Sequence, residues 1–170
     1  GLAYLPFQRA GIAYILERKN ALLADEMGLG KTVEAVGVVN ADERMRSMLV
    51  VCPASLKLNW KKESDKWLVR ETSVAIANGG DFPRTDFVIV NYDVLKKNLA
   101  AILARRWDMI VADEAHYMKN PKAQRTKLMM EIVAANPDAR FLPMTGTPVV
   151  NRPIELFIIE WHLNPCRYRL

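Results

Sequence analysis

The octapeptide Asp25-Glu26-Met27-Gly28-Leu29-Gly30-Lys31-Thr32 constrains this chain more than any other stretch. It follows a short apolar run, Ala21-Leu22-Leu23-Ala24, and leads into Val33-Glu34-Ala35-Val36-Gly37-Val38-Val39. That is the layout of strand, glycine loop and helix. Glycines give the backbone conformations closed to other residues, so several N–H groups can converge on one phosphate. The helix that follows adds its N-terminal dipole at the same point. Lys31 supplies a mobile positive charge for the β- and γ-phosphates, and Thr32 a hydroxyl for Mg²⁺. The strict pattern G-x-x-x-x-G-K-[ST] requires glycine where Asp25 stands, so the octapeptide alone is one glycine short of it.

The rest of the chain repeats the alternation this loop implies. Pro6 to Leu16 carries apolar residues at helical spacing behind a proline suited to a first turn. The helix after the loop is expected to run to about Arg44. Continuous apolar runs over 47–52 and 107–112 read as strands buried on both faces, with further strands over 73–77, 87–90 and 140–144. Ser55 is placed to cap a helix carrying Leu56, Leu58, Trp60 and Trp67, and Leu95, Leu99, Ile102 and Leu103 form a second apolar stripe. Helices are also expected from Lys122 to about Ala135 and around 154–159. Apolar strands alternating with amphipathic helices predict an α/β fold with a mostly parallel sheet, helices on both faces and right-handed crossovers. Ligands of such folds bind beyond the carboxyl ends of the strands, and each motif singled out here falls at such an end.

Composition narrows the class. With 170 residues the chain fits one domain, and 51% hydrophobic against 25% charged residues excludes a disordered chain. The excess of 24 Lys+Arg over 19 Asp+Glu, a net +5, permits a polyanionic partner without demanding one. Two cysteines, Cys52 and Cys166, suggest a reduced intracellular protein rather than a disulfide scaffold. No run has the length of a membrane span, and no signal-peptide pattern opens the chain. A start at Gly1 and an abrupt Arg169-Leu170 end read as a fragment of something longer.

Asp113-Glu114-Ala115-His116 follows an apolar strand at the distance downstream that lets it face the phosphate loop. An aspartate at a strand tip suits Mg²⁺, which takes hard oxygen ligands and keeps several waters. The neighbouring Glu114 can orient or deprotonate a water attacking the γ-phosphate. Taken alone, Asp-Glu is as well a solvated turn; the upstream loop decides for function. Thr145-Gly146-Thr147 offers hydroxyls near the γ-phosphate, or is a plain strand-to-loop turn. Gln8 has the donor and acceptor to read an adenine edge, or is an exposed helix residue. The basic helix Lys57 to Lys66 and the run Lys119, Lys122, Arg125 and Lys127 are each solvated faces when taken singly. Phosphate-backbone binding needs just such charges.

Together these motifs resemble the superfamily-two helicase-like ATPases, most closely the Swi/Snf family of DNA translocases and remodellers. Pro6 to Gly11 resembles that family's adenine-reading glutamine motif. DEMGLGKT is its form of the phosphate loop, which accounts for Asp25. Val50 to Trp60 and Val90-Asn91-Tyr92-Asp93 are similar to its next two motifs. DEAH at 113–116 is its carboxylate motif, and Thr145-Gly146-Thr147-Pro148 with Asn151 its coupling motif. Gln8 to Gly11 and Asn151 to Leu156 resemble the branch that includes annealing helicases.

The resemblance implies a single RecA-like ATP-binding lobe over 1–170, the first of two, with the second lobe and its arginine fingers absent. It implies a DNA-dependent ATPase that binds ATP and Mg²⁺ and acts on duplex DNA or protein–DNA complexes inside the cell. Gln8, Glu26, Met27, Gly28, Leu29, Gly30, Lys31 and Thr32 would hold the nucleotide, with Thr32 and Asp113 on Mg²⁺. Lys31, Asp113 and Glu114 would be catalytic, and His116, Thr145, Gly146 and Thr147 would couple hydrolysis to movement. Ser55, Lys57, Asn91 and Tyr92 would meet DNA. Two other readings stay open: a nucleotide-binding or interaction module with negligible turnover, and an RNA-dependent DEAH-type lobe.

Overall fold

The computed structural model describes residues 3–24, 26 and 28–146. Asp25, Met27, Thr147, Pro148, Asn151, Cys166 and the helix expected around 154–159 lie outside the described residues. The elements are α1 (Pro6–Leu16), α2 (Lys31–Ala41), β1 (Met48–Cys52), α3 (Lys57–Trp67), β2 (Val74–Ala77), β3 (Phe87–Asn91), α4 (Leu95–Leu103), β4 (Met109–Ala112), α5 (Gln124–Ala135) and β5 (Arg140–Pro143).

The five strands form one parallel sheet in the order β2-β3-β1-β4-β5. Every residue of β1, β3 and β4 is buried, as continuous apolar runs require when both faces are covered. The strand period of two divides them between two cores. Met48, Val50, Cys52, Phe87, Ile89, Met109 and Val111 pack with Ile12 and Ile15 of α1, Val38 and Val39 of α2, and Trp60 of α3. Leu49, Val51, Val88, Val90, Ile110 and Phe141 pack with Leu95 and Ile102 of α4 and Met129 and Ile132 of α5. The α/β class with a parallel sheet and helices on both faces, expected from the sequence, is the fold observed.

Several boundaries differ, each for a local reason. The apolar run 21–24 is not a full strand but a single parallel bridge, Leu23 to Met144, supported by Leu23 N–H to the Pro143 carbonyl at 3.0 Å and Thr145 N–H to the Leu23 carbonyl at 3.0 Å. It still lies against β5, and so delivers the phosphate loop to the carboxyl edge of the sheet. Helix α2 stops at Ala41 because Asp42 is extended and its carboxylate turns to Arg44, accepting from that backbone N–H at 3.1 Å and from the guanidinium at 2.9 Å. Ser55 does not cap α3 through its side chain. It lies in a 3₁₀ turn, Ala54–Leu56, closed by Leu56 N–H to the Pro53 carbonyl at 3.0 Å. Leu58 faces solvent, 76% exposed, so the buried anchor of α3 is Trp60 and not the leucines around it.

The link from β2 to β3 carries no helix; Asp86 ties the two strand starts instead. Its carboxylate accepts from the Ser73 N–H at 2.8 Å and the Ser73 hydroxyl at 2.6 Å, and these bonds hold it below the usual carboxylate range. Asp42 is lowered likewise by Arg44. Both contribute stability above about pH 4 that is lost as the pH falls through their depressed values.

Candidate functional site

The carboxyl ends of β1, β3, β4 and β5, with the loop after Leu23, bring most of the expected residues to one edge of the sheet. Gly28 and Gly30 have φ of +87° and +84°, the left-handed region that favours glycine. Gly30 is the N-cap of α2, so the N–H groups of the first turn point back into the loop. A Cβ at Gly30 would be strained by the backbone and would stand 2.6 Å from Gln8 Nε2, so it would push the Gln8 amide aside. Lys31 Nζ donates to the Glu26 carbonyl at 3.0 Å, across the mouth of the loop. Lys31 and Thr32 are half-buried at the start of α2, and Leu29 is exposed.

Gln8 is 6% exposed, not a surface residue. Its Oε1 accepts the Leu5 N–H at 3.0 Å and its Nε2 donates to the Leu29 carbonyl at 3.3 Å. Its amide therefore caps α1 with one end and braces the phosphate loop with the other.

Asp113 emerges from β4 beside β1, its N–H donating to the Val51 carbonyl at 2.8 Å. Asp113 is 6% exposed, and each of its carboxylate oxygens accepts one hydrogen bond. Oδ2 accepts the Trp60 indole N–H at 2.7 Å and Oδ1 accepts the Glu114 N–H at 2.9 Å. Burial pushes its carboxyl above the usual range; the Trp60 bond, the Glu114 N–H and the Lys31 charge pull the other way. The next residue, Glu114, is the one non-glycine among the described residues with positive φ, at 50°. Left-handed backbone costs a residue with a Cβ roughly 1–2 kcal/mol. It is held there by Ala115 N–H on the Met144 carbonyl at 2.7 Å and Tyr117 N–H on the Glu114 carbonyl at 2.9 Å. Strain of this kind, fixed by neighbours, aims the Glu114 side chain. His116 Nδ1 lies 3.1 Å from Glu114 Oε2, off the line of a hydrogen bond.

Thr145 is buried beside this edge, its backbone tied to Leu23, and Gly146 is buried next to it. The residues expected to meet DNA divide. Ser55 is exposed, and Lys57 Nζ reaches Asn78 Oδ1 at 2.6 Å, both at the open end of α3. Asn91 and Tyr92 are 5% and 4% exposed. Asn91 donates to Asp93 Oδ2 at 3.3 Å. The Tyr92 hydroxyl donates to the Asp113 carbonyl at 2.8 Å, with its ring stacked on Tyr117 at 5.5 Å. Tyr92 thus supports the carboxylate turn from behind. Tyr92→Phe, which removes only that hydroxyl, is expected to cost about 1 kcal/mol of stability in urea unfolding.

Sequence reasoning missed the Trp60 contact to Asp113, and for Tyr92 it expected DNA and not the bond to the Asp113 carbonyl. The available signal was chemical: a buried indole N–H or phenol must find an acceptor. Cys52 is buried on the same side, and burial pushes its thiol up to about 12, so it is chemically inert in the folded chain.

The donor set fits Mg²⁺ with nucleotide. One buried carboxylate and one hydroxyl, rather than a cage, suit an ion that keeps most of its waters and completes its shell on phosphate. The described residues contain no cluster of three or more acidic, histidine or cysteine ligands. Nor do they contain a helix long and apolar enough to cross a membrane. Raised burial of Asp113 has a measurable signature. Because its folded value is raised above the usual carboxylate range, the folded chain binds more protons than the unfolded one in the interval between the two values. Its contribution to stability therefore falls as pH rises through the raised value. Asp113→Asn is expected to gain in stability on the wild type as the pH rises from 4 to 7, while Mg²⁺-dependent nucleotide binding is lost. Asp42 and Asp86 are common to both proteins and cancel in the difference.

A family model described as SNF2-related domain matches residues 7–168. The human DNA annealing helicase and endonuclease ZRANB3 is 34% identical over 175 aligned positions, covering 96% of this chain and 16% of that protein. The Xenopus tropicalis SWI/SNF-related matrix-associated actin-dependent regulator of chromatin subfamily A-like protein 1 is 35% identical over 162, covering 92% of this chain and 17% of that protein. Among solved structures, the Sulfolobus solfataricus SWI2/SNF2 ATPase core in complex with dsDNA superposes with a TM-score of 0.78 at 27% identity, over 96% of this chain and 36% of that one. The chain thus spans about a sixth of these curated relatives and about a third of the solved ATPase core.

Proposed function

Since the chain belongs to the SNF2-related domain family, we propose that it is the first RecA-like lobe of a duplex-DNA-dependent ATPase that translocates on or remodels DNA and protein–DNA complexes. The observation that carries this is the convergence of the Gly28–Gly30 loop, Lys31 and the strained Asp113-Glu114 turn on one sheet edge. The solved relative that it superposes on is a complex with dsDNA, which supports duplex DNA as the partner.

In this reading the loop N–H groups and the start of α2 bind the β- and γ-phosphates of ATP. Lys31 leaves the Glu26 carbonyl to neutralise phosphate charge; Thr32 and Asp113 would hold Mg²⁺, which would supply charge stabilisation at the phosphates. Glu114 orients and deprotonates the attacking water. Gln8 reads adenine by exchanging its bonds to Leu5 and Leu29. His116, Thr145 and Gly146, next to Glu114 and the Leu23 bridge, report nucleotide state to the rest of the fold. Ser55 and Lys57 meet the DNA backbone, a sequence-blind contact. The arginine finger would come from a second lobe, and turnover without a finger would be roughly a thousandfold lower or more.

The test is ATP hydrolysis by the chain with and without duplex DNA or RNA, beside binding of a fluorescent ATP analogue. Binding with slow turnover, stimulated by duplex DNA once the second lobe is present, is the expected result. No nucleotide binding sinks the reading, and stimulation by RNA in preference to DNA changes its substrate.

A further inference from the structure

Asp113 is held by a side chain from a distant part of the chain. Trp60 belongs to α3, 53 residues earlier, and is completely buried. Its single polar atom, Nε1, donates to Asp113 Oδ2 at 2.7 Å. The terminal torsion of an aspartate is soft and nearly two-fold, so one anchor does not fix the carboxylate plane. Here there are two anchors, the Trp60 indole on one oxygen and the Glu114 N–H on the other. The second anchor is local and rides with the turn. Among the described residues, only the indole hydrogen-bonds the carboxylate from another element, α3, whose first turn carries Lys57 on Asn78.

We propose that Trp60 is a positioning residue for Asp113, its buried indole N–H setting the carboxylate orientation that Mg²⁺ binding beside Lys31 and Thr32 needs. This deepens the reading of the site given above and rests on it. A carboxylate that meets Mg²⁺ directly or through a water must present its free lone pairs in one direction, and partners behind a ligand commonly carry 10–100-fold of metal affinity or activity. Trp60 touches neither nucleotide nor metal; it acts through Asp113.

Trp60→Phe keeps an aromatic ring and removes the N–H. Trp107→Phe is the matched control: Trp107 is also buried, its indole donating to the Ile102 carbonyl at 3.1 Å in the opposite core. Binding of a fluorescent ATP analogue by the chain is measured against Mg²⁺ concentration and again in EDTA. Trp60→Phe is expected to raise the Mg²⁺ midpoint about tenfold, with affinity in EDTA unchanged and Trp107→Phe like the wild type. An equal midpoint in Trp60→Phe and wild type, or an equal shift in Trp107→Phe, overturns the inference alone. Binding by the wild type that ignores Mg²⁺ overturns the reading of the site and the inference with it. A second measurement needs no Trp60 variant: in ¹⁵N-labelled, nucleotide-loaded wild type, the Trp60 indole N–H resonance shifts on adding Mg²⁺, and in Asp113→Asn it does not. An unmoved resonance in the wild type overturns the inference.

Discussion

Lys31→Ala is expected to weaken binding of an ATP analogue by roughly a thousandfold while leaving the fold intact. A unit charge about 4 Å from a phosphate near a protein surface is worth about 4 kcal/mol, and a factor of ten is about 1.4 kcal/mol. Lys31 donates to the Glu26 carbonyl at 3.0 Å in the structure, so moving to phosphate exchanges a neutral acceptor for charged ones. The fold has little to lose. Lys31 is the first residue of α2, where a positive side chain opposes the helix dipole. Urea unfolding of the variant should match the wild type within about 0.5 kcal/mol. Unchanged nucleotide affinity in a folded variant would remove the phosphate-loop assignment altogether.

Glu114→Gln is expected to separate binding from turnover. The substitution keeps side-chain length and the backbone at φ 50°, and it removes the carboxylate that would take the water's proton. General-base contributions of this kind amount to about 10²–10⁴ in rate. Hydrolysis should fall by that factor in the two-lobed enzyme, with analogue affinity within about twofold. Retained hydrolysis would move the base elsewhere on this edge. Lost nucleotide binding would mean that Glu114 serves the phosphate loop instead of the water.

The chemistry-bearing stretches of this chain are contiguous, which is why so much of the site could be read from them. A phosphate loop is a backbone device: Gly28, Gly30 and the first turn of α2 lie within a few residues of each other, so spacing alone implies the geometry. The same holds for Asp113 at the end of an apolar run, because a strand tip beyond a parallel sheet has one address. The two-sided burial of β1, β3 and β4 follows equally from unbroken runs of apolar residues.

Where the expectation and the structure part, the deciding contact is long-range or a competition among local hydrogen bonds. Asp42 ends α2 early because its carboxylate prefers Arg44 to one more helical turn. The run 21–24 shrinks to one bridge since its partner, Met144, is 121 residues away and meets it at a single register position.

By itself, then, the order of residues determines a parallel α/β sheet with its glycine loop, carboxylate pair and hydroxyl turn at one edge, since each rests on periodicity or on neighbours in the chain. Only the tertiary structure decides that Gln8 is buried against Leu29, that Tyr92 backs the carboxylate turn, and that Trp60 reaches Asp113. Those pairings are set by which faces of α1, α3 and β3 pack on the sheet. A buried polar atom takes whatever partner that packing brings within about 3 Å.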